Sequence, residues 1–136
     1  MRVLVTGAVG LLGTELSLQL RRAGHYVVGL DNLSRYALLG EIGIRAQSEN
    51  EKALEAAGVE FINSDIRYPC LDSSFDAIVH SAAQVCHSRK NDDPFDDYQV
   101  NIGGTLRMLE HARTRSVPLL FISSAKLYGE NVSELP

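Results

Sequence analysis

Three glycines stand three residues apart, at Gly7, Gly10 and Gly13, directly after the β-branched run Arg2–Thr6. The run is typical of a short buried strand. The leucines that follow recur at helical spacing, which predicts a helix that begins within the glycine segment. A glycine turn between a strand and a helix is the arrangement that binds the pyrophosphate of a dinucleotide. The chemistry that these residues could support is therefore the binding of a dinucleotide cofactor.

Each part of this turn has a physical role. Gly7 permits the tight turn off the strand, Gly10 offers a backbone that a pyrophosphate can approach, and Gly13 lets the helix lie close to the strand. The N–H groups of Leu11 and Leu12 have no partner within the helix and lie at the positive end of its dipole. We therefore expect the phosphates to lie against this turn.

An acidic residue follows at the distance that such a site requires. Asp31 directly follows the second apolar run, Tyr26–Leu30, and lies about twenty residues past the glycines. Its carboxylate can accept hydrogen bonds from both ribose hydroxyls of the adenosine half, and it would repel a 2′-phosphate. The sequence therefore predicts NAD rather than NADP, with Arg35 the nearby cation that could favour NADP.

The pattern along the chain predicts alternating strands and helices. Strands are expected at 2–6, 26–31, 59–63, 75–81 and 119–123. This alternation predicts an α/β fold, a Rossmann-type doubly wound parallel sheet of about five strands in the order 3-2-1-4-5. The ligand crevice would lie over the carboxyl ends of strands 1 and 4. Only about a dozen residues separate strands 3 and 4, so a helix between them would have two turns at most.

Helix faces and boundaries can be predicted as well. The first helix should end at Gly24, with an apolar face formed by Leu12, Leu16, Leu20 and Ala23. Residues 36–47 have no clear period and are expected to form a loop or a broken helix. Ser48 and Glu51 fit a capping box, which predicts a short helix from Ser48 that ends at Gly58. A longer helix is expected from about 95 to 115, with an apolar face formed by Ile102, Leu106, Leu109 and Ala112 or Arg113.

Composition restricts the possible functions. The length of 136 residues fits one domain, and the net charge of -4 argues against a nucleic-acid partner. No apolar stretch could span a membrane, and glycines with Glu15 interrupt any secretory signal, so we expect a cytoplasmic protein without a membrane partner. Cys70 and Cys86 lack metal-ligand spacing and are expected to be reduced structural thiols.

Six motifs in a fixed order give the chain a resemblance to a known family. They are Thr6–Gly13, Asp31–Ser34, Asp65–Ile66, His80–Gln84, Asn101–Thr105 and Ser124–Gly129. In these motifs the chain resembles the extended short-chain dehydrogenase/reductase family, the NAD-dependent nucleotide-sugar epimerases and dehydratases. The resemblance spans essentially the whole chain. The pieces Ala83–Val85 and Lys126–Gly129 are most similar to the CDP-paratose 2-epimerase branch.

The resemblance implies a function and a set of site residues. In the complete enzyme, NAD would take up and return a hydride at a carbon of a nucleotide-diphosphate sugar. Ser124 matches the family's catalytic Ser or Thr, which hydrogen-bonds the reacting oxygen. The implied cofactor contacts are Gly7, Gly10, Leu11, Leu12, Gly13, Asp31, Asn32, Ser34, Asp65, Ile66, Ala82, Ala83, Gln84, Asn101 and Ser123.

The family's general base is missing. That base is the tyrosine of Tyr-x-x-x-Lys, but Ser48, Cys86 and Ile122 stand four residues before the lysines of this chain. We therefore expect residues 1–136 to be an NAD-binding domain without its C-terminal substrate domain, and to be inactive alone. Its last strand, Leu119–Ser123, would form an exposed sheet edge that favours self-association. A second function stays open, that of a non-catalytic NAD-binding module that is regulatory or depends on a partner chain.

Other polar residues have simpler interpretations. His80 is expected to be a core histidine whose hydrogen bonds are satisfied, and Tyr128 to be a packing residue rather than a base. Cys86 and His87 are adjacent and point apart, which argues against a nucleophile pair. A solvated helix N-terminus, rather than a metal site, is expected for Asp92, Asp93, Asp96 and Asp97.

Overall fold

The computed structural model describes residues 1–34, 40–71, 74–84, 93–124 and 127. Five parallel strands form one sheet in the order β3-β2-β1-β4-β5, which confirms the predicted α/β fold and strand order. The strands are β1 Arg2–Thr6, β2 Tyr26–Asp31, β3 Glu60–Asn63, β4 Ala77–His80 and β5 Leu119–Phe121. The helices are α1 Leu11–Arg22, α2 Gly40–Ala56, α3 Pro94–Asp97 and α4 Thr105–Arg115, with a π-helical segment, Tyr98–Gly104, between α3 and α4.

The central strands carry the core. In β1, Val3 and Val5 pack into the apolar cluster on one face of the sheet, and Leu4 packs into the cluster on the other face. Both faces are covered, as is usual for a parallel sheet. At one edge, Leu120 and Phe121 of β5 are more than half exposed. The exposed edge that we expected is therefore present in the described part of the chain, and self-association through it stays a prediction.

Helix α1 buries its small residues rather than its leucines. The buried positions are Gly13, Thr14 and Ser17. The predicted apolar face is wrong at both ends, since Leu12 and Ala23 are exposed. The leucines between them, Leu16 and Leu20, are half-buried against the core. Small side chains lie innermost because α1 begins in close contact with the glycine turn, as the Thr14 Oγ1 bond of 3.0 Å to the Ala8 carbonyl shows.

Glycine follows each of the first two helices, as predicted. The Gly24 N–H donates to the Arg21 carbonyl after α1, and the Gly58 N–H donates to the Glu55 carbonyl after α2. Both glycines have a positive φ, of 83° and 70°. This left-handed conformation satisfies carbonyls at the helix end that would otherwise lack a partner.

The predicted start of α2 is wrong. Residues 40–47 are helical, and Ser48 lies inside the helix rather than at its N-cap. The capping box is a local pattern, and packing of Ala46 against the core outweighs it. Farther along, the Asn50 amide donates to the Val9 carbonyl at 2.8 Å. This bond attaches α2 to the glycine turn.

The connection from β3 to β4 contains no helix in its described residues, 64–71 and 74–76. Ile66, Leu71 and Phe75 from this connection pack into the apolar cluster on one face of the sheet. Side chains of an irregular segment therefore cover the core where a longer connection would place a crossover helix.

The helix expected at about 95–115 is confirmed as a continuous run through α3, the π-helical segment and α4, called the long helix below. Its predicted apolar face is wrong except at Ala112. Ile102, Leu106 and Leu109 are exposed, whereas the buried residues are Gly104, Met108 and Ala112. Close approach determines this face, because a Cβ on Gly104 would lie only 2.5 Å from the Ile66 Cδ1.

A buried histidine links the sheet to the long helix. His80, at the end of β4, has no exposed surface. Its Nδ1 lies 2.7 Å from the Thr6 Oγ1, and its Nε2 lies 3.0 Å from the Thr105 Oγ1. The expectation of a satisfied core histidine is confirmed. Burial lowers the pKa of His80 from 6.5 to about 4.

Alanine at the two neighbouring glycines of the long helix should have opposite effects. Gly104→Ala should lower the free energy of unfolding by roughly 1–3 kcal/mol, because its methyl group overlaps Ile66. Gly103→Ala is the matched control, since its Cβ would meet only the Tyr98 carbonyl at 4.0 Å. Alanine favours a helix, so this control should be neutral or stabilising by up to about 1 kcal/mol. Denaturant unfolding measures both, and equal effects would contradict the close contact at Gly104.

Stability should fall as the solution becomes acidic, because His80 is held neutral. The unfolded chain protonates His80 near its ordinary pKa of 6.5, but the folded chain does so only near 4. Between these values the unfolded state binds more protons, so acidification should remove about 3 kcal/mol of unfolding free energy through this group. His80→Gln should flatten the pH dependence of unfolding over this window. An unchanged profile in His80→Gln would refute the assignment.

Candidate functional site

The glycine turn lies against the segment that leaves β4. Gly7 has a φ of 68°, and a Cβ there would lie 2.8 Å from both the N and the Cα of Ala82. Only glycine permits this conformation and this contact. At Gly13, a Cβ would lie within 2.9 Å of the Ala8 Cα. The turn and the start of α1 are thus packed backbone against backbone.

Most N–H groups of the glycine turn already donate to acceptors within the protein. The N–H groups of Gly7 and Ala8 donate to the Leu30 carbonyl, and the Gly10 N–H donates to the Gly7 carbonyl. The Val9 N–H donates to Asp31 Oδ2 at 3.0 Å. The amides that remain for a ligand are those of the first turn of α1, Leu11, Leu12 and Gly13, which have no partner within the helix.

Asp31 lies at the carboxyl end of β2, beside the glycine turn. Its Oδ2 accepts the Val9 N–H, and its Oδ1 accepts the Leu33 N–H at 2.8 Å. Leu33 has a left-handed φ of 60°, which is uncommon for leucine and accompanies this bond. Burial raises the pKa of Asp31, against the lowering effect of the Leu33 and Val9 amides. Each carboxylate oxygen can accept a further hydrogen bond from a ligand hydroxyl.

The residues after β2 and β3 are joined by side-chain hydrogen bonds. The Asn32 amide donates to Asp65 Oδ2 at 2.9 Å, and the Ser34 hydroxyl donates to Asn32 Oδ1 at 2.8 Å. Burial opposes the ionisation of Asp65, but hydrogen bonds from Arg67 outweigh it and lower the pKa of that carboxyl. Three residues that the sequence placed in the site are therefore connected to one another.

Arg67 is a site residue that the sequence prediction missed. Its Nη2 lies 2.7 Å from Asp65 Oδ2, and its Nη1 lies 2.6 Å from Asp96 Oδ1 at the start of the long helix. The guanidinium thus joins the segment after β3 to α3. A basic side chain two residues past an acid at a strand end was the available signal.

The segment after β4 is tied to the π-helical segment. The Gln84 N–H donates to Asn101 Oδ1 at 2.8 Å, and Asn101 Nδ2 donates to the Gln84 carbonyl at 3.0 Å. At the other end of this segment, the Ser81 hydroxyl donates to the Thr6 carbonyl at 2.6 Å. π-helical turns are frequent at functional sites.

These groups line one cleft over the carboxyl edge of the sheet, with compartments of about 270 and 490 Å³. Both compartments share Gly7, Gly10, Ser81, Ala82, Ala83 and Gln84. The first adds Asp31, Asn32, Ser34, Ser64, Ile66 and Arg67. The second adds Leu11, Leu12, Gly13, Asn101, Ser123 and Ser124. Every residue predicted for the site therefore lines the cleft except Asp65, which accepts hydrogen bonds from Asn32 and Arg67.

The described residues include Ser124, Asp93 and Cys70, for which further sequence-based predictions were made. Ser124 is exposed and lines the second compartment, and its catalytic role stays a prediction. Asp93 caps α3 through the Phe95 N–H at 2.9 Å, as expected of a helix N-terminus. Cys70 is exposed, so the expectation of a structural thiol is wrong for it. The predictions for Arg35, Cys86, His87, Asp92 and Tyr128 concern residues outside the described part of the chain.

The described ranges hold neither a candidate metal site nor a membrane-spanning helix. Those ranges contain no group of three or more His, Cys, Asp or Glu side chains that could hold a metal ion. None of the helices within them is both long and apolar enough to cross a bilayer.

Comparison with curated proteins gives relatives of the kind that the motifs indicated. The chain is 38% identical over 131 residues to the UDP-glucose 4-epimerase of Mycolicibacterium smegmatis, covering 95% of this chain and 41% of that protein. It is 31% identical over 139 residues to the CDP-paratose 2-epimerase of Salmonella typhi, covering 96% and 38%. The expected similarity to the CDP-paratose branch in particular is therefore not supported. The chain spans about two fifths of the length of these relatives.

Comparison with solved structures and family models agrees. A UDP-glucose-4-epimerase from Stenotrophomonas maltophila, solved with bound NAD and formylated UDP-arabinopyranose, superposes with a TM-score of 0.74 at 28% identity. The superposition covers 95% of this chain and 38% of that one. The model of the NAD dependent epimerase/dehydratase family matches residues 3–136. Since this match covers nearly all of the sequence, the chain belongs to the NAD dependent epimerase/dehydratase family.

Proposed function

We propose that residues 1–136 are the cofactor-binding part of an NAD-dependent nucleotide-sugar epimerase, and that NAD binds along the carboxyl edge of the sheet. One observation carries the proposal: the first-turn amides of α1 and the Asp31 carboxylate border the same cleft. These groups suit the phosphates and the ribose hydroxyls of an adenosine diphosphate.

The amides would hold the pyrophosphate. Leu11, Leu12 and Gly13 offer N–H donors without intrahelical partners at the start of a helix of 12 residues. The helix dipole adds partial positive charge at the same place. The missing side chain of Gly10, which borders both compartments, leaves room for phosphate oxygens.

The adenosine half would lie in the first compartment. Asp31 would accept the ribose hydroxyls, and Ile66 would contact the adenine ring. Arg67 lines this compartment, but its charge is balanced by Asp65 and Asp96. Among the described residues that line this compartment, an added 2′-phosphate would therefore meet the Asp31 carboxylate without an unpaired cation to offset it, which favours NAD.

The nicotinamide half would lie in the second compartment, which Ser123 and Ser124 border. Bound NAD would supply the acceptor for a hydride from a sugar carbon. The Ser124 hydroxyl would hydrogen-bond the sugar oxygen that reacts there. The sequence of residues 1–136 holds no Tyr-x-x-x-Lys, so the proton acceptor of the complete enzyme would come from outside them.

NADH should bind to the 136-residue chain, and removal of one amide donor should weaken that binding. Leu11→Pro deletes the first N–H of α1, and proline is compatible there because Gly10 is extended, with φ -68° and ψ 167°. Loss of one hydrogen bond to a charged phosphate should raise the Kd by about tenfold. Titration followed by nicotinamide fluorescence measures this.

Leu11→Ala is the matched control for that titration. It keeps the N–H and removes only a side chain that is 79% exposed, so it should bind NADH as the wild type does. A folded wild-type chain that does not bind at about 1 mM NADH would refute the proposed function. Equal affinities of Leu11→Pro and Leu11→Ala would refute the position of the phosphates.

Asp31 should determine the choice between the two nicotinamide cofactors. Asp31→Ala removes an acceptor of charge-assisted hydrogen bonds, so NADH should bind about tenfold more weakly or worse. The same change removes repulsion of the 2′-phosphate, so the ratio of NADH to NADPH affinity should fall. Glu60→Gln removes one negative charge at the amino end of β3 and should leave both affinities unchanged. If Asp31→Ala keeps the wild-type ratio, Asp31 does not contact the ribose.

A further inference from the structure

The proton positions around His80 follow from the number of protons on each group. The Thr105 hydroxyl donates its only proton to the Asn101 carbonyl at 2.6 Å. It can therefore only accept from His80 Nε2, which must carry the ring proton. A neutral imidazole has one N–H, so Nδ1 is an acceptor and the Thr6 hydroxyl is its donor. His80 is thus the Nε2–H tautomer.

Two hydrogen-bonded arms lead from His80 to one short segment, Ser81–Gln84. In the first arm, the Thr6 hydroxyl oxygen accepts the Ala82 N–H at 3.3 Å. In the second arm, the Thr105 hydroxyl holds the Asn101 carbonyl, and the Asn101 side chain pairs with both backbone groups of Gln84. From the Ala82 N–H to the Asn101 carbonyl, each donor points the same way, so the bonds reinforce one another.

The segment between these arms borders both compartments of the cleft. Ser81, Ala82, Ala83 and Gln84 line each of them. The Ala82 backbone is already in contact with the glycine turn at Gly7, so it has no space to move toward β1. Movement away from the turn is what the two arms oppose.

We propose that His80, as the Nε2–H tautomer, is a positioning residue that holds Ser81–Gln84 against the glycine turn and thereby shapes the cleft. His80 itself borders neither compartment as described. Its effect on a ligand passes through the backbone of Ala82 and Gln84. An effect of His80 on NAD binding rests on the proposed function, whereas its effect on the position of Ser81–Gln84 does not.

The tautomer can be measured in the wild-type chain without ligand. Long-range ¹⁵N–¹H NMR correlations at neutral pH should show a protonated Nε2 and an unprotonated Nδ1 for His80. An Nδ1–H tautomer, or an average of the two, would overturn the proposal. Because this measurement needs no variant, it does not depend on the folding of a mutant.

Two substitutions separate the arms. His80→Asn places an acceptor near the position of Nδ1, and His80→Gln places a donor near the position of Nε2. Amide exchange at Gln84 should accelerate about tenfold in His80→Asn, and exchange at Ala82 should accelerate about tenfold in His80→Gln. Val27→Ala lowers stability at a buried site on β2 outside these bonds, and it should accelerate neither amide selectively. Equal effects of both His80 variants on both amides would overturn the proposal.

The same variants test the link to the cofactor. His80→Asn and His80→Gln should each raise the Kd for NADH by about fivefold to tenfold, whereas Val27→Ala should bind as the wild type does. Wild-type affinity in both His80 variants would overturn the claim that His80 shapes the cleft. If the wild-type chain does not bind NADH, the proposed function fails, and the tautomer and exchange measurements still decide the role of His80.

Discussion

Van der Waals contact between two backbone segments determines the geometry of the carboxyl edge. β1 ends at Thr6, and a side chain on the next residue, Gly7, would overlap the backbone of Ala82. The glycine turn and the segment after β4 can therefore lie in direct contact. Through this contact, the ends of β1 and β4 form one wall of the cleft, and α1 begins with its unpaired amides beside it.

Charge makes the two sides of this cleft different. Helix α1 brings amide donors and the positive end of its dipole to one side. On the other side, Asp31 is held by the amides of Val9 and Leu33, while the Arg67 cation is balanced by two carboxylates. The site thus offers donors for phosphates and acceptors for hydroxyls at separate places. This separation matches the order of groups in an adenosine diphosphate.

Sequence patterns predicted the strands and the glycine turn well, because short-range interactions largely determine these features. The glycine spacing and the apolar runs predicted the turn and the place of Asp31, since each depends on a few adjacent residues. The strand order followed from the alternation of strands and helices and from the right-handedness of crossover connections. Burial was predicted poorly where close approach decides it. In α1 and the long helix, Gly13 and Gly104 are buried, whereas several leucines are exposed. Hydrophobic periodicity does not measure how closely two backbones can pack.

Two other features needed the tertiary structure. Ser48 matches a capping box, but the helix that contains it begins at Gly40, because packing of Ala46 extends it toward the N-terminus. Arg67 belongs to the site through Asp96, which lies 29 residues away in sequence. No local pattern connects these two side chains, so only the fold shows that they meet.

In the proposed function, NAD lies across the carboxyl edge, from Asp31 to the start of α1. The most direct measurement is a titration of the ¹⁵N-labelled chain with NAD⁺, followed through its amide resonances. We expect saturable shifts at Gly7–Gly13, at Asp31–Ser34 and at Ser81–Gln84, and little change at the exposed face of α4. Shifts confined to α4 or to the amino ends of the strands would contradict it.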